Sequence, residues 1–264
     1  MEKKFRNEFE QKWNKYFPGA DLPIGFYYTN VKEEKSMLKP PKGHRCIIGD
    51  LASVRNGNTR CFDVYTTGCG GGRLYLGFED KQAPNFEYFL SYGIPGKLEG
   101  ERYKKSPEVV KEIMKQQSLF KAPAKYIVFK RWDSMEESDE PLVIIFFAPP
   151  DVLSGLFTLA NYDEKEPNGV IAPFGAGCGT IVYYPYYELQ SKRPCAVLGM
   201  FDVSARPCVS PEVLTFSIPW PKFVRMADNM EESFLITKSW GKVRQRIKKG
   251  SRLAERVPFS AVLK

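Results

Sequence analysis

Two identical tripeptides, Gly68-Cys69-Gly70 and Gly177-Cys178-Gly179, are the residues of this 264-residue chain whose types and setting most suggest chemistry. The first belongs to a longer run, Gly68-Cys69-Gly70-Gly71-Gly72, followed by Arg73; the second follows Gly175-Ala176. Glycine lets a backbone adopt positive φ and present successive N–H groups. A turn of that kind opening a helix suits a phosphate, a carboxylate or another anion. Gly68, Cys69, Gly70, Gly71, Gly72, Arg73, Gly177, Cys178 and Gly179 therefore form the candidate ligand-binding set, for a small anionic ligand or cofactor. Helix starts also lower thiol pKa values, which makes Cys69 and Cys178 the expected reactive thiols. The plain alternative is a tight turn and close packing. Neither turn has the Lys-Ser/Thr ending of a P-loop or the spacing of a dinucleotide fingerprint.

The six cysteines, at 46, 61, 69, 178, 195 and 208, include no Cys-x-x-Cys pair, so zinc-ribbon, bacterial-ferredoxin and thioredoxin patterns are unsupported. Cys46, Cys61 and Cys69 are close in sequence, and a folded arrangement that added Cys178 would offer four soft ligands. An iron–sulfur cluster or other metal in a redox protein is thus the second reading of these residues, and simple burial is the third. His44 is the only histidine, which argues against His-ligated zinc chemistry and a Ser-His-Asp triad. The acids Asp50, Asp63, Asp151 and Asp202 fall at element ends, where capping and turns account for them. The pattern names no catalytic residue and leaves open whether the protein is an enzyme. Two aromatic blocks, Phe26-Tyr27-Tyr28 and Tyr183-Tyr184-Pro185-Tyr186-Tyr187, suit a core or a pocket wall.

The elements that must position these residues follow from periodicity. Phe5, Phe9, Trp13 and Tyr16 mark one face of a helix that ends at Pro18-Gly19. Strands are expected at 22–29, 62–65, 126–132, 142–147, 196–203 and 213–218. Helices are expected at 45–55, from the first glycine run through Leu74 to Phe78, and from Ser106-Pro107 to about Phe120. Further helices are expected at 151–161, from Lys222 and at 233–248, and the second glycine turn leads into 180–187. This alternation predicts an α/β or α+β fold, a mixed sheet with flanking helices. The order strand, helix, Gly-Cys-Gly recurs, which suggests an internal duplication with a pseudo-twofold axis and a site where the halves meet. The expected organisation is an N-terminal helix over 1–20, a globular domain over 21–248 with lobes of about 21–120 and 121–248, and a basic tail over 249–264.

The net charge of +8 arises in one place: residues 238–264 carry nine Lys/Arg against the single acid Glu255, and the remainder is neutral. That segment is a solvated helix end or a surface for nucleic acid or an acidic partner, and nucleic-acid binding is expected nowhere else. Residues 1–13 lack the apolar core of an export signal, and the longest apolar run, 142–150, is too short for a bilayer. The cysteines are then expected as thiols in a cytoplasmic protein without membrane contact.

Several of these residues together carry a resemblance. The Pro-Ile-Gly-Phe strand at 23–26, Arg45-Cys46, Gly68-Cys69-Gly70 with Leu76-Gly77-Phe78, and Gly177-Cys178-Gly179 resemble the bacterial and archaeal family called domain of unknown function 169. The likeness runs from about residue 20 to 248. It implies a cytoplasmic protein whose cysteines suit redox or metal chemistry, and it assigns no catalytic role.

Overall fold

In a computed structural model, which describes residues 1–118 and 120–254, the chain folds as a mixed sheet with helices on both faces. The helices are α1 (Lys3–Tyr16), α2 (Ile47–Arg55), α3 (Gly70–Tyr75), α4 (Phe86–Phe89), α5 (Pro107–Gln116), α6 (Pro150–Ala160), α7 (Tyr184–Glu188), α8 (Trp220–Asn229) and α9 (Lys238–Ala254). The strands are β1 (Ile24–Thr29), β2 (Arg60–Phe62), β3 (Tyr126–Arg131), β4 (Val143–Ala148), β5 (Val170–Ile171), β6 (Ala196–Gly199) and β7 (Leu214–Pro219). They lie in the order β2-β3-β1-β4-β7-β6-β5, antiparallel except for the β5–β6 pair.

The central strand shows why two layers of helix are needed. Every residue of Val143–Ala148 is buried, so both faces of β4 must be covered. Ile144, Phe146 and Ala148 enter a core built with α1, α6, α8 and α9. Val143, Ile145 and Phe147 enter a second core with α2, α3 and the segment around Ile181–Tyr183. The alternation of side chains along a strand thus divides the molecule into two cores. The first is aromatic: Trp13 stacks on Phe17 with centroids 4.3 Å apart, and the Trp240 indole donates to the Tyr16 carbonyl at 3.0 Å. Helix α1 is therefore part of the domain core rather than an appendage to it.

Sequence and structure differ at informative places. The strand expected over 62–65 ends at Phe62, because the Asp63 carboxylate accepts from the Thr66 N–H at 2.8 Å and from the Tyr65 N–H at 3.0 Å and folds a turn. The strand expected over 196–203 stops at Gly199, ahead of Met200 in a left-handed conformation at φ 73°. Helix α5 ends at Gln116, short of Phe120. The lobe boundary expected near residue 120 places β3 in the second half, whereas β3 pairs with both β1 and β2 of the first.

The strand order matches β1, β3 and β2 on one side of the β1–β4 pair with β4, β7 and β6 on the other, and leaves the edge strand β5 without a counterpart. The helices following β1 and β4 break the pattern, since α2 belongs to one core and α6 to the other. A twofold axis normal to the sheet would place both on one face, so the duplication is not established. Helix α9 runs to Ala254, past the expected tail boundary at 248, and docks through Trp240 and Ile247. Residues 255–264 of the expected basic tail lie outside the described residues. Among the described residues, no helix is long and apolar enough to cross a membrane.

Candidate functional site

The first glycine run is set by Arg45. Its backbone N–H donates to the Gly68 carbonyl at 3.1 Å, its Nη2 to the Thr66 carbonyl at 2.8 Å, and its Nε to Asp50 Oδ2 at 2.9 Å. Gly68 lies so close to this residue that a Cβ there would sit 2.6 Å from Arg45 Cβ. Cys69 then caps α3, its Sγ accepting the Gly72 N–H at 3.1 Å. Gly70 and Gly71 face open space, and a Cβ on either would meet no atom within 4 Å. The conformational reason expected for these glycines is not met. Positive φ occurs at Gly19, Gly57, Gly77, Gly93 and Gly96 among the described glycines, and at none of those flanking Cys69 or Cys178.

The second tripeptide is embedded. Cys178 is already helical, and Gly179–Tyr183 form a π-helical turn, a rare element found often at functional sites. The Gly177 N–H donates to Asp202 Oδ2 at 2.9 Å, and the Thr180 hydroxyl donates to the Gly177 carbonyl at 2.9 Å. Gly199 of β6 lets Thr180 seat against the sheet, since a Cβ there would meet Thr180 Oγ1 at 2.2 Å. Gly179 presses on Tyr75 of α3, at 3.2 Å from a Cβ to the ring. The two Gly-Cys-Gly segments, 109 positions apart in the chain, thus meet over one face of the sheet.

They meet at a cleft of about 1060 Å³. Of the expected ligand-binding residues, Cys69, Gly70, Gly71, Arg73, Gly177 and Cys178 line it, while Gly68, Gly72 and Gly179 are packing residues behind it. The opposite wall comes from the α4–α5 region, and the rim includes Phe174, Phe201 and Val203. Sequence reading missed this wall and rim. The helix over 107–116 is expected from the sequence, but nothing in its spacing says that its apolar face turns to a cleft, and 201–203 reads as the end of a strand.

Charges are arranged unevenly around the cleft. Glu79 is held by Arg73 at 2.7 Å, and Asp202 accepts from Gly177 and Ser204. Lys81, Lys121, Asp80 and Glu101 also border the cleft and are exposed, and among the described residues none of the four has an ion-pair partner. Gln82 Oε1 borders it too and is shielded from solvent without a hydrogen-bond partner. The Ala122 N–H, donating to the Gly77 carbonyl at 2.8 Å, ties the Lys121 segment to the one leading to Lys81 and Gln82.

The thiols behave opposite to expectation. Burial pushes the Cys69 thiol above its ordinary pKa, and the Gly72 N–H bond at its Sγ only partly offsets this. Full burial pushes Cys178 well up. Desolvation outweighs the helix start at both, so neither is an activated thiolate. The expected metal set divides: Cys46, Cys69 and Cys178 all border the cleft and act electrostatically on one another, whereas Cys61 leaves them. Phe62 belongs to the site-side core, so its strand neighbour Cys61 faces the other side of the sheet, beside Glu33. Cys208, which that set omitted, lies close enough to Cys46 to be influenced by it. Among the described residues, no three of His, Cys, Asp or Glu are grouped to hold a metal ion. Cys195 is remote, its Sγ 3.2 Å from the Asn168 carbonyl. His44 lines the cleft edge.

A family model described as "Uncharacterised ArCR", domain of unknown function 169, matches residues 20–229. The match covers most of the chain, and the chain belongs to this family. No curated protein and no solved structure matches it.

Proposed function

We propose that this family member binds an organic ligand or cofactor carrying an anionic group in the cleft between its two Gly-Cys-Gly segments. The observation that carries the reading is the cleft itself. At about 1060 Å³ it is as large as the sites that enclose organic cofactors. Its lining joins apolar walls to a few polar groups, the usual composition of such sites. Among the described residues Lys81 and Lys121 carry no ion pair, and neither do Asp80 and Glu101 of the same lining, so the anionic group is assigned to the two lysines as its contact points and not to a net positive cleft. The open flank at Gly70 and Gly71 admits a ligand to the backbone without a side chain in the way. All six cysteines are free thiols, which fits a reducing compartment such as the cytoplasm.

The test uses the open glycine. Gly71→Leu adds a side chain into empty cleft space at ordinary helical φ, so the unliganded protein should melt at or above the wild-type temperature. A thermal-shift screen of phosphorylated and carboxylated organic compounds should raise the wild-type Tm by the mass-action amount. Gly71→Leu should abolish that shift. Equal shifts in both proteins would place the binding elsewhere and overturn the reading.

A further inference from the structure

An amphipathic helix has to bury its apolar stripe, and α5 does not bury its own in either core. Val110, Ile113 and Met114 lie at i, i+3 and i+4 on one face and all line the cleft, yet none belongs to the two core clusters. The same holds for Phe86, Phe89, Leu90 and Leu98, which precede α5. Across the opening, Phe174 is 56 %, Phe201 57 % and Val203 67 % exposed. Contiguous exposed apolar surface of this kind marks a binding site.

This wall is built to keep its shape. The Glu101 N–H donates to the Phe89 carbonyl at 2.7 Å and the Lys104 N–H to the Leu90 carbonyl at 2.9 Å. Gly93 and Gly100 cross so closely that a Cβ on Gly100 would lie 2.2 Å from the Gly93 nitrogen. Lys104 reaches over to the rim, its Nζ 3.7 Å from the centroid of Phe174. An apolar surface held open by its own hydrogen bonds, facing a second one across a cleft, lacks an apolar third party.

We infer that the ligand is a single-chain acyl amphiphile, its aliphatic chain lying between α5 and the Phe174–Phe201–Val203 rim and its anionic head toward Lys81 and Lys121. The inference rests on the cleft being the ligand site. Aliphatic side chains, Val110, Ile113 and Met114 with Leu90 and Leu98, form the part of the lining that α5 and the segment before it contribute to an extended chain. A carboxylate head and a phosphate head satisfy the same lysines, so the head is assigned only as an anion.

Calorimetric titration tests it, on protein first stripped of amphiphiles over a hydrophobic resin. The probes are hexanoate, octanoate, decanoate and dodecanoate, with dodecyl phosphate and inorganic phosphate as head-group controls. Affinity should rise about fourfold for each added methylene until the chain fills the cleft. Dodecyl phosphate should bind like dodecanoate, and inorganic phosphate far more weakly. Ile113→Asp and Val203→Asp change surface-accessible positions, so both should melt like the wild type without ligand and lose at least tenfold in dodecanoate affinity. Binding of a nucleotide or inorganic phosphate that Gly71→Leu blocks, with no dependence on chain length, would overturn the acyl assignment and leave the cleft reading standing. Chain-length-dependent binding that Gly71→Leu, Ile113→Asp and Val203→Asp all leave unchanged would overturn both.

Discussion

The same three residues, Gly-Cys-Gly, do opposite things at the two ends of this site. Around Cys69 the chain opens a short helix, and the glycines just after the cysteine border empty space. Around Cys178 it leads into a π-helical turn, and the glycines fit against Ile48, Met200, Ala205 and Tyr75. One copy leaves space beside its backbone, and the other lets the wall behind it pack. Where glycine is needed, at Gly68 and Gly72 of one segment and Gly177 and Gly179 of the other, it is for want of a side chain and not for positive φ. A tripeptide therefore does not carry its role with it; the neighbours that fill or leave the Cβ direction assign that role.

Substitutions can break this contrast. Gly179→Leu should be the most costly, because the added atoms meet the Tyr75 ring within a buried segment. Overpacking of that kind costs about 1–3 kcal/mol, measurable as a lowered urea midpoint at unchanged m-value. Gly68→Ala should also destabilise, since its Cβ would collide with the Arg45 backbone at 2.7 Å. Gly71→Leu, three residues on, should cost no stability and remove ligand binding, which makes the contrast visible within a single turn. Equal destabilisation by Gly71→Leu and Gly179→Leu would erase it.

Smaller effects sharpen the contrast further. Lys121→Glu should weaken an anionic ligand several-fold, through reversal of an exposed charge whose influence salt screens, and raising ionic strength should shrink the difference. The smallest effect is in the thiols. Burial pushes Cys208 up to about 11, so at pH 8 it is protonated, and its alkylation by iodoacetamide should climb about tenfold per pH unit until near that value. The sign for stability follows from linkage. Folded-state values of about 11 at Cys61 and Cys208 exceed the free thiol value of 9.0. The stabilising contribution is thus complete below pH 9 and is lost as pH rises toward 11. A melting temperature that rose over that interval would contradict the burial of these thiols.

Much of this arrangement was legible in the sequence, at particular residues. The spacing of Phe9, Trp13 and Tyr16 gave α1, and the unbroken apolar run at Val143–Ala148 gave the central strand, because burial writes itself into local periodicity. The paired glycine segments pointed to one face of the molecule, and they meet there. The cysteine chemistry did not follow. Helix starts are visible in sequence, but the desolvation that outweighs them at Cys69 and Cys178 depends on what packs above. Cys61 was misplaced for a similar reason: a one-residue step along β2 decides the face, and the register is set by pairing with Val128. The α5 wall was invisible because its residues serve neither core, and only the fold shows what they face.

The most direct test of the cleft is hydrogen exchange with and without dodecanoate. Ligand in the cleft should slow exchange at amides of residues 70–82, 107–117 and 174–178, with no change in α1 or α9. Protection confined to α1 or α9, or no protection at a saturating concentration, would contradict the cleft as the binding site.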